Sequence, residues 1–322
     1  MSRTSVPAIP GPIPGPDLAE GVRRFNAASV GRISGTLKAA AAGMPPRFIG
    51  IVLMVAAMML IPIVDTAAKY LSADLSPLFV AFMRYAASTA LILPIAFGLR
   101  GAANMLPRNG WGMHALRTML LVSAMSLFFV ALTTVPLADA LGAYFIAPIV
   151  AAVLALVILK ERLTAGRIAG AVLGFAGTLL IVRPGGGMEP GLLLALLAGL
   201  LFGGYIIATR AAALRSGPLE TLTFQCLFGA LLLSPFAILF WEQPTAMQWG
   251  LIALMGLVSI TGHFLSITAF RFADASTLSP LVYFELVSGA ALGFFIFGDS
   301  PAPIVWAGIA LIVTGGLIVI RR

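Results

Sequence analysis

Asp65, Arg84, His263 and Glu285 each interrupt a long apolar run, in a chain where only 10% of residues are charged. A charge at the middle of a bilayer costs about 2.5–3.5 kcal/mol even on the mildest scale, so an ionisable residue kept there is a functional candidate. Asp65 has Lys69 one helical turn later on the same face, and Arg84 lies at a similar depth in the next run. A cluster of Asp65 and Arg84, with Lys69 nearer the outer mouth, would grip a solute carboxylate or form an outer gate. The same residues would equally serve as an ion pair that pins two helices together. Glu285 lies about eleven residues into its run, near mid-bilayer, where a carboxyl suits a proton-coupled site. A hydrogen-bonded structural glutamate is the plainer reading. His263 and Gln225 sit in inner halves of their runs and form an inner counterpart to Asp65 and Arg84. For His263 the choice is between a titrating group and a packed neutral ring. Tyr205, with Tyr85, Tyr144 and Phe224, stands at a depth where an aromatic ring would stack on a solute.

Other chemistry finds little support. The two histidines, His114 and His263, lie in separate runs, and there is no HExxH, aspartate pair or Ser/Lys dyad with supporting donors. Neither catalytic residues, a metal site nor a cofactor is expected, and the chain does not read as an enzyme. Cys226, the single cysteine, excludes an intrachain disulfide and reads as packing. Gly185-Gly186-Gly187 lacks the Lys-Ser/Thr sequel of a phosphate loop. The glycines at 166, 170, 174 and 177 read as a face for close helix packing. Arg117, only a turn or two inside its run, is expected to snorkel to the cytoplasmic surface. Glu161, Arg162 and Arg167 are assigned to helix-end electrostatics and closure of the inner side.

The elements that must position these residues are membrane helices. The chain of 322 residues is 60% hydrophobic, with mean hydropathy +1.04, more apolar surface than a soluble fold can hide. The apolar runs are near the roughly 20 residues that a helix needs to cross hydrocarbon. They show no period-two alternation, so helices rather than a barrel are expected. The spans are 48–71, 77–99, 111–134, 138–158 and 167–183, then 190–213, 218–241, 248–270, 275–298 and 303–320. The net charge of +8 comes from Lys and Arg gathered at alternate span ends, not from a nucleic-acid face. That bias places both termini in the cytoplasm of a bacterial-type inner membrane. Residues 1–47 contain the run Ile9-Pro10-Gly11-Pro12-Ile13-Pro14-Gly15-Pro16, which cannot form a helix and has nothing to pack. They are expected to be a disordered cytoplasmic tail, with a start at Met44 as the other reading.

The second half repeats the first at an offset of about 140 positions. Gly50 then meets Gly191, Lys69 meets Arg210, Arg84 meets Gln225 and Pro94 meets Pro235. After a three-residue deletion Trp111-Gly112 meets Trp249-Gly250 and Glu161 meets Asp299. Five crossings per copy would set the copies in opposite orientations. The fold class is therefore all-α integral membrane, ten helices in two inverted five-helix repeats, 48–184 and 185–322, around a central cavity.

The stretch Ala131-Leu132 through Pro136-Leu137-Ala138, then Pro148, Leu159-Lys160-Glu161-Arg162-Leu163-Thr164 and Gly170, resembles the EamA domain of the drug/metabolite transporter superfamily. In the second copy Ala269-Phe270, Ala273-Asp274-Ala275-Ser276, Phe297-Gly298-Asp299 and Gly308 to Gly315 carry the same likeness. Asp299 stands where the family more often has Glu, and Gln225 replaces a basic residue. The resemblance implies secondary transport of a small organic metabolite, amino-acid-like or amphiphilic, with export the commoner direction. An uptake permease for a vitamin or nucleoside-like metabolite is the alternative. A non-transporting membrane enzyme or scaffold is the remaining class. The expected partners are the solute and the bilayer, with no nucleic acid and a homodimer left open.

Overall fold

A computed structural model describes residues 44–135, 137–161, 164–182, 190–297 and 303–321. Expectations for residues 1–43, Arg162, the loop at 184–187 and Asp299 lie outside the described residues. The first part of the chain forms α1 (Pro46–Leu71), α2 (Pro77–Arg100), α3 (Trp111–Leu132), α4 (Leu137–Tyr144), α5 (Ala147–Val157) and α6 (Ala165–Val182). The second part forms α7 (Pro190–Ala213), α8 (Pro218–Leu239), α9 (Ala246–Phe272), α10 (Ala275–Leu278), a 3₁₀ segment (Ser279–Tyr283), α11 (Phe284–Phe297) and α12 (Pro303–Arg321). No strand occurs among the described residues. Proline in the first turn of α1, α2, α5 and α8 supplies a preset φ where no N–H is needed.

Seven helical stretches are long and apolar enough to cross a bilayer, and three shorter apolar runs cover 147–157, 165–177 and 306–315. The shortness of the first of these three runs has a local cause. The run 138–158, expected as one helix, is split at Phe145-Ile146 into α4 and α5. Pro148 cannot donate to the carbonyl of Tyr144 and its ring would clash there, so the helix ends and restarts. The run 275–298 is likewise interrupted, by the 3₁₀ segment that contains Pro280. The two interruptions fall at corresponding places in the repeats.

Helix pairing crosses between the repeats. The chief partners are α1 with α9, α3 with α7, α2 with α8, and α6 with α12. Exchanging the repeats maps the first of these pairs onto the second. The same exchange carries Gly50, against Ala269 and Ala273, onto Gly191, against Ala131, Thr134 and Val135. The helices of the two repeats are thus interleaved, and a sequence half is not a separate packing body. Along α7 the small residues Gly191, Ala195, Gly199 and Gly203 are all buried. A Cβ at Gly199 would strike the Tyr144 carbonyl and the Ile146 side chain, so glycine here lets α7 lie against the break between α4 and α5. The expected glycine face of α6 also packs closely: Gly315 of α12 abuts the Gly170 carbonyl, and Gly174 faces the Tyr283 ring. Apolar side chains such as Phe97, Ile238 and Phe295 remain on the outside, where lipid covers them.

Candidate functional site

Helices from both repeats converge on one narrow cavity. The first repeat lines it with Ile61 and Val64 from α1, Arg84 from α2, Met125 from α3 and Tyr144 at the end of α4. The second lines it with Phe202 from α7, Ser259 and His263 from α9, and Glu285 from α11. Both helix interruptions abut the cavity. One ends the helix at Tyr144, and the other delivers Glu285 on the first turn of a new one. Discontinuous helices are the usual means of placing polar groups at mid-bilayer.

Asp65 of α1 is 2% exposed, and its carboxyl meets that of Glu285, 3% exposed, within hydrogen-bond range. Arg84, also 2% exposed, exerts its charge on Asp65 but forms no ion pair with it. Its guanidinium lies over the Tyr85 ring at 4.5 Å, and its Nε and Nη2 have no hydrogen-bond partner. The expected cluster of Asp65 and Arg84 is therefore present, with Glu285 rather than Arg84 as the closest partner of Asp65. Lys69 does not line the cavity.

From His263 a polar chain leads away from the cavity. His263 Nδ1 lies 3.4 Å from the Tyr205 hydroxyl, which is 3.4 Å from Gln225 Oε1. Beyond them stands Arg117, fully buried, whose Nη2 donates to Tyr205 (3.2 Å) and Gln225 Oε1 (2.7 Å). Its Nη1 donates to the Thr221 carbonyl and its Nε to Thr209 Oγ1, both at 3.3 Å. The expectation that Arg117 snorkels to the surface is corrected by these contacts. Its six residues of depth, about 9 Å along the axis, face the bundle interior, where four neutral acceptors outcompete a path to water. The signal available in the sequence was the set of inward polar residues at matching depth in the neighbouring runs: Tyr205, Thr209, Thr221 and Gln225. Tyr205 and Gln225 thus belong to the arginine's cradle rather than to the cavity wall. His263 joins the two.

Aromatic rings form one side. Phe202 stacks on Tyr205 at 5.4 Å, and Tyr144 makes tilted ring contacts with Phe202 and Phe128, both at 5.0 Å. No group of three or more His, Cys, Asp or Glu able to hold a metal occurs among the described residues.

At the end of the bundle where α6 begins and α7 and α9 finish, charges from both repeats interlock. Arg210 donates to Asp274 (2.8 Å) and to the Phe270 carbonyl, and lies 3.6 Å from Glu161. Arg167 donates to Asp274 (3.2 Å) and to Ser276 Oγ (2.7 Å). Glu161 accepts from the backbone N–H groups of Ala275 and Ser276. Glu161 and Arg167, assigned from sequence to helix ends and closure, are found in this network.

The EamA-like transporter family matches residues 48–183 and again 189–321. The chain belongs to that family. It is a multi-pass membrane transporter, and both of its family segments contribute residues to the cavity lining. An S-adenosylmethionine uptake transporter of Rickettsia prowazekii is 28% identical over 257 residues, 80% of this chain and 87% of the relative. A pseudopaline exporter of Pseudomonas aeruginosa is 26% identical over 82% of this chain and 93% of its own length. A crystal structure with 22% identity and a TM-score of 0.71 covers 84% of this EamA-like chain and 98% of its own, a likeness of fold.

Proposed function

We propose that this chain is a secondary active transporter of a small organic metabolite in a bacterial inner membrane, driven by protons. The observation that carries the proposal is the meeting of Asp65 and Glu285, one from each repeat, beside Arg84 in a buried cavity. Two ionised carboxyls at hydrogen-bond range repel strongly where water is scarce, and one proton turns that repulsion into a hydrogen bond. Gain or loss of this proton changes how firmly α1 is held to α11. Protonation and conformation are then linked, as coupling requires. Solute fills the space between Arg84, Tyr144, Phe202 and His263, and the helices around it move to expose the cavity to one side at a time.

Export is the direction that the family resemblance favours. Uptake of a nucleoside-like metabolite is a second reading, supported by the named activity of the Rickettsia relative and by the aromatic wall of Tyr144 and Phe202. Purified protein in liposomes tests the proposal. A pH gradient alone should drive accumulation of a solute from a bacterial small-molecule extract, and a protonophore should abolish it. Accumulation that needs ATP, or that ignores the gradient, would contradict a proton-driven carrier.

A further inference from the structure

Four charged side chains are buried in the cavity and its inner extension: Asp65, Arg84, Arg117 and Glu285. Their charges do not balance. The two carboxyls stand within hydrogen-bond range of each other, where sharing one proton, as the proposed function has it, leaves one negative charge between them. Against it stand two guanidiniums. Arg117 meets only neutral acceptors: two side-chain hydroxyls, an amide oxygen and a backbone carbonyl. The interior is therefore short of one negative charge.

The location of the shortfall follows from the unsatisfied donors. Arg117 spends all three nitrogens on its cradle. Arg84 has two nitrogens with no partner, Nε and Nη2. These two carry the parallel N–H bonds along one edge of the guanidinium, the fork that matches the two oxygens of a carboxylate. Arg84 lines the cavity, and its ring contact with Tyr85 fixes the plane of the fork. A buried cation with an unfilled two-pronged edge, in a space with one positive charge too many, is a receptor for a planar anion.

We propose that the transported solute bears a carboxylate, and that this carboxylate docks on the Nε–Nη2 edge of Arg84. The inference rests on the reading of this chain as a transporter and narrows its substrate class to organic anions and zwitterions. Arg117, one polar chain away through His263 and Tyr205, adds a long-range positive potential on the same side and admits no neutral analogue on equal terms.

Proteoliposomes loaded with a bacterial small-molecule extract, followed by mass spectrometry of what leaves or enters, identify the solutes carried. Each carried acid, and S-adenosylmethionine as a defined probe, is then compared with its carboxamide. Loss of the carboxylate should lower transport by about 100-fold, because a site built to pair an anion rejects the analogue that leaves its donors empty. Arg84→Lys keeps the charge and loses the fork, and should shrink the acid-to-amide ratio to about tenfold or less. Arg84→Gln should abolish it.

Equal transport of acid and amide by the wild-type protein overturns the proposal and leaves the transporter reading intact. Carriage of the amide only when chloride or phosphate is added overturns it too, since the anion is then a separate ion. A ratio unchanged in Arg84→Lys removes Arg84 from the role. Movement of no solute at all defeats the transporter reading on which the inference stands. The wild-type comparison decides the matter even where an Arg84 variant fails to fold.

Discussion

At the scale of single residues, burial and partners separate groups that hold the fold from groups held for transport. Arg117 is the clearest case. A guanidinium at this depth is costly, and neutral acceptors recover only part of the cost. Replacing it by an apolar chain of similar length removes that cost but leaves buried acceptors without their donor, and the two effects largely offset each other. Arg117→Met is thus expected to keep its melting temperature within a few degrees of wild type, while transport falls at least about tenfold. A large fall in melting temperature with transport preserved would make Arg117 a structural residue. His263 invites a different test. The Tyr205 hydroxyl has two partners within reach, Gln225 Oε1, which accepts from it, and His263 Nδ1, which donates or accepts according to its tautomer. Gln225→Leu removes one of them and leaves Arg117 a donor short of an acceptor. It should change the pH profile of transport as well as its rate. A profile unmoved by Gln225→Leu would detach this chain from coupling.

At the scale of elements, the sequence announced the helices and hid their interruptions. Apolar runs of span length and charged ends located the seven long apolar stretches to within a few residues. Pro148 and Pro280 stood in plain view, yet a proline within an apolar run reads as a kink as readily as a break. What decides is the neighbour. Gly199 of α7 leaves room for the displaced Tyr144 backbone and the Ile146 side chain, and no local pattern joins residue 199 to residue 144. Gly199→Ala forces its Cβ against that backbone, so α7 or the break must move. It is expected to destabilise the protein by about 1–3 kcal/mol, read as a lower melting temperature, and to weaken transport by displacing Tyr144 from the cavity. A fully active, equally stable Gly199→Ala protein would show that the break tolerates displacement. The same limit explains the site. Residue type and depth singled out Asp65, Arg84, Glu285 and His263, because an ionisable group in hydrocarbon is conspicuous. Which of them touch was not legible, since α1 meets α11 across more than 200 residues of chain. Arg117 escaped because axial depth alone does not tell which face of a helix points inward.

At the scale of the molecule, the repeat supplies a frame whose chemical contents are unequal. Gly50 and Gly191 make equivalent contacts, whereas Arg84 and Gln225, equivalent in sequence, fill different roles on either side of His263. The network of Glu161, Arg167, Arg210 and Asp274 ties both repeats together at one end, which is cytoplasmic in the proposed topology. That end is closed in this structure, and opening it requires the network to part. In a Cys226→Ser background, a cysteine placed at buried Thr277 should react slowly with a membrane-impermeant maleimide from that side. Glu161→Gln should speed the reaction several-fold, and an unchanged rate would mean that the network does not hold this end shut. The carboxyls of Asp65 and Glu285 lie in the buried cavity, and in the proposed mechanism their shared proton links closure to the gradient. The most direct test of that link is the transport of Glu285→Gln in liposomes, measured as solute exchange without a gradient and as accumulation driven by a pH gradient. The expected result is exchange within about threefold of wild type and loss of gradient-driven accumulation, because an amide binds solute beside Arg84 but cannot take up or release the proton. Accumulation at the wild-type level with the wild-type pH dependence would contradict the account.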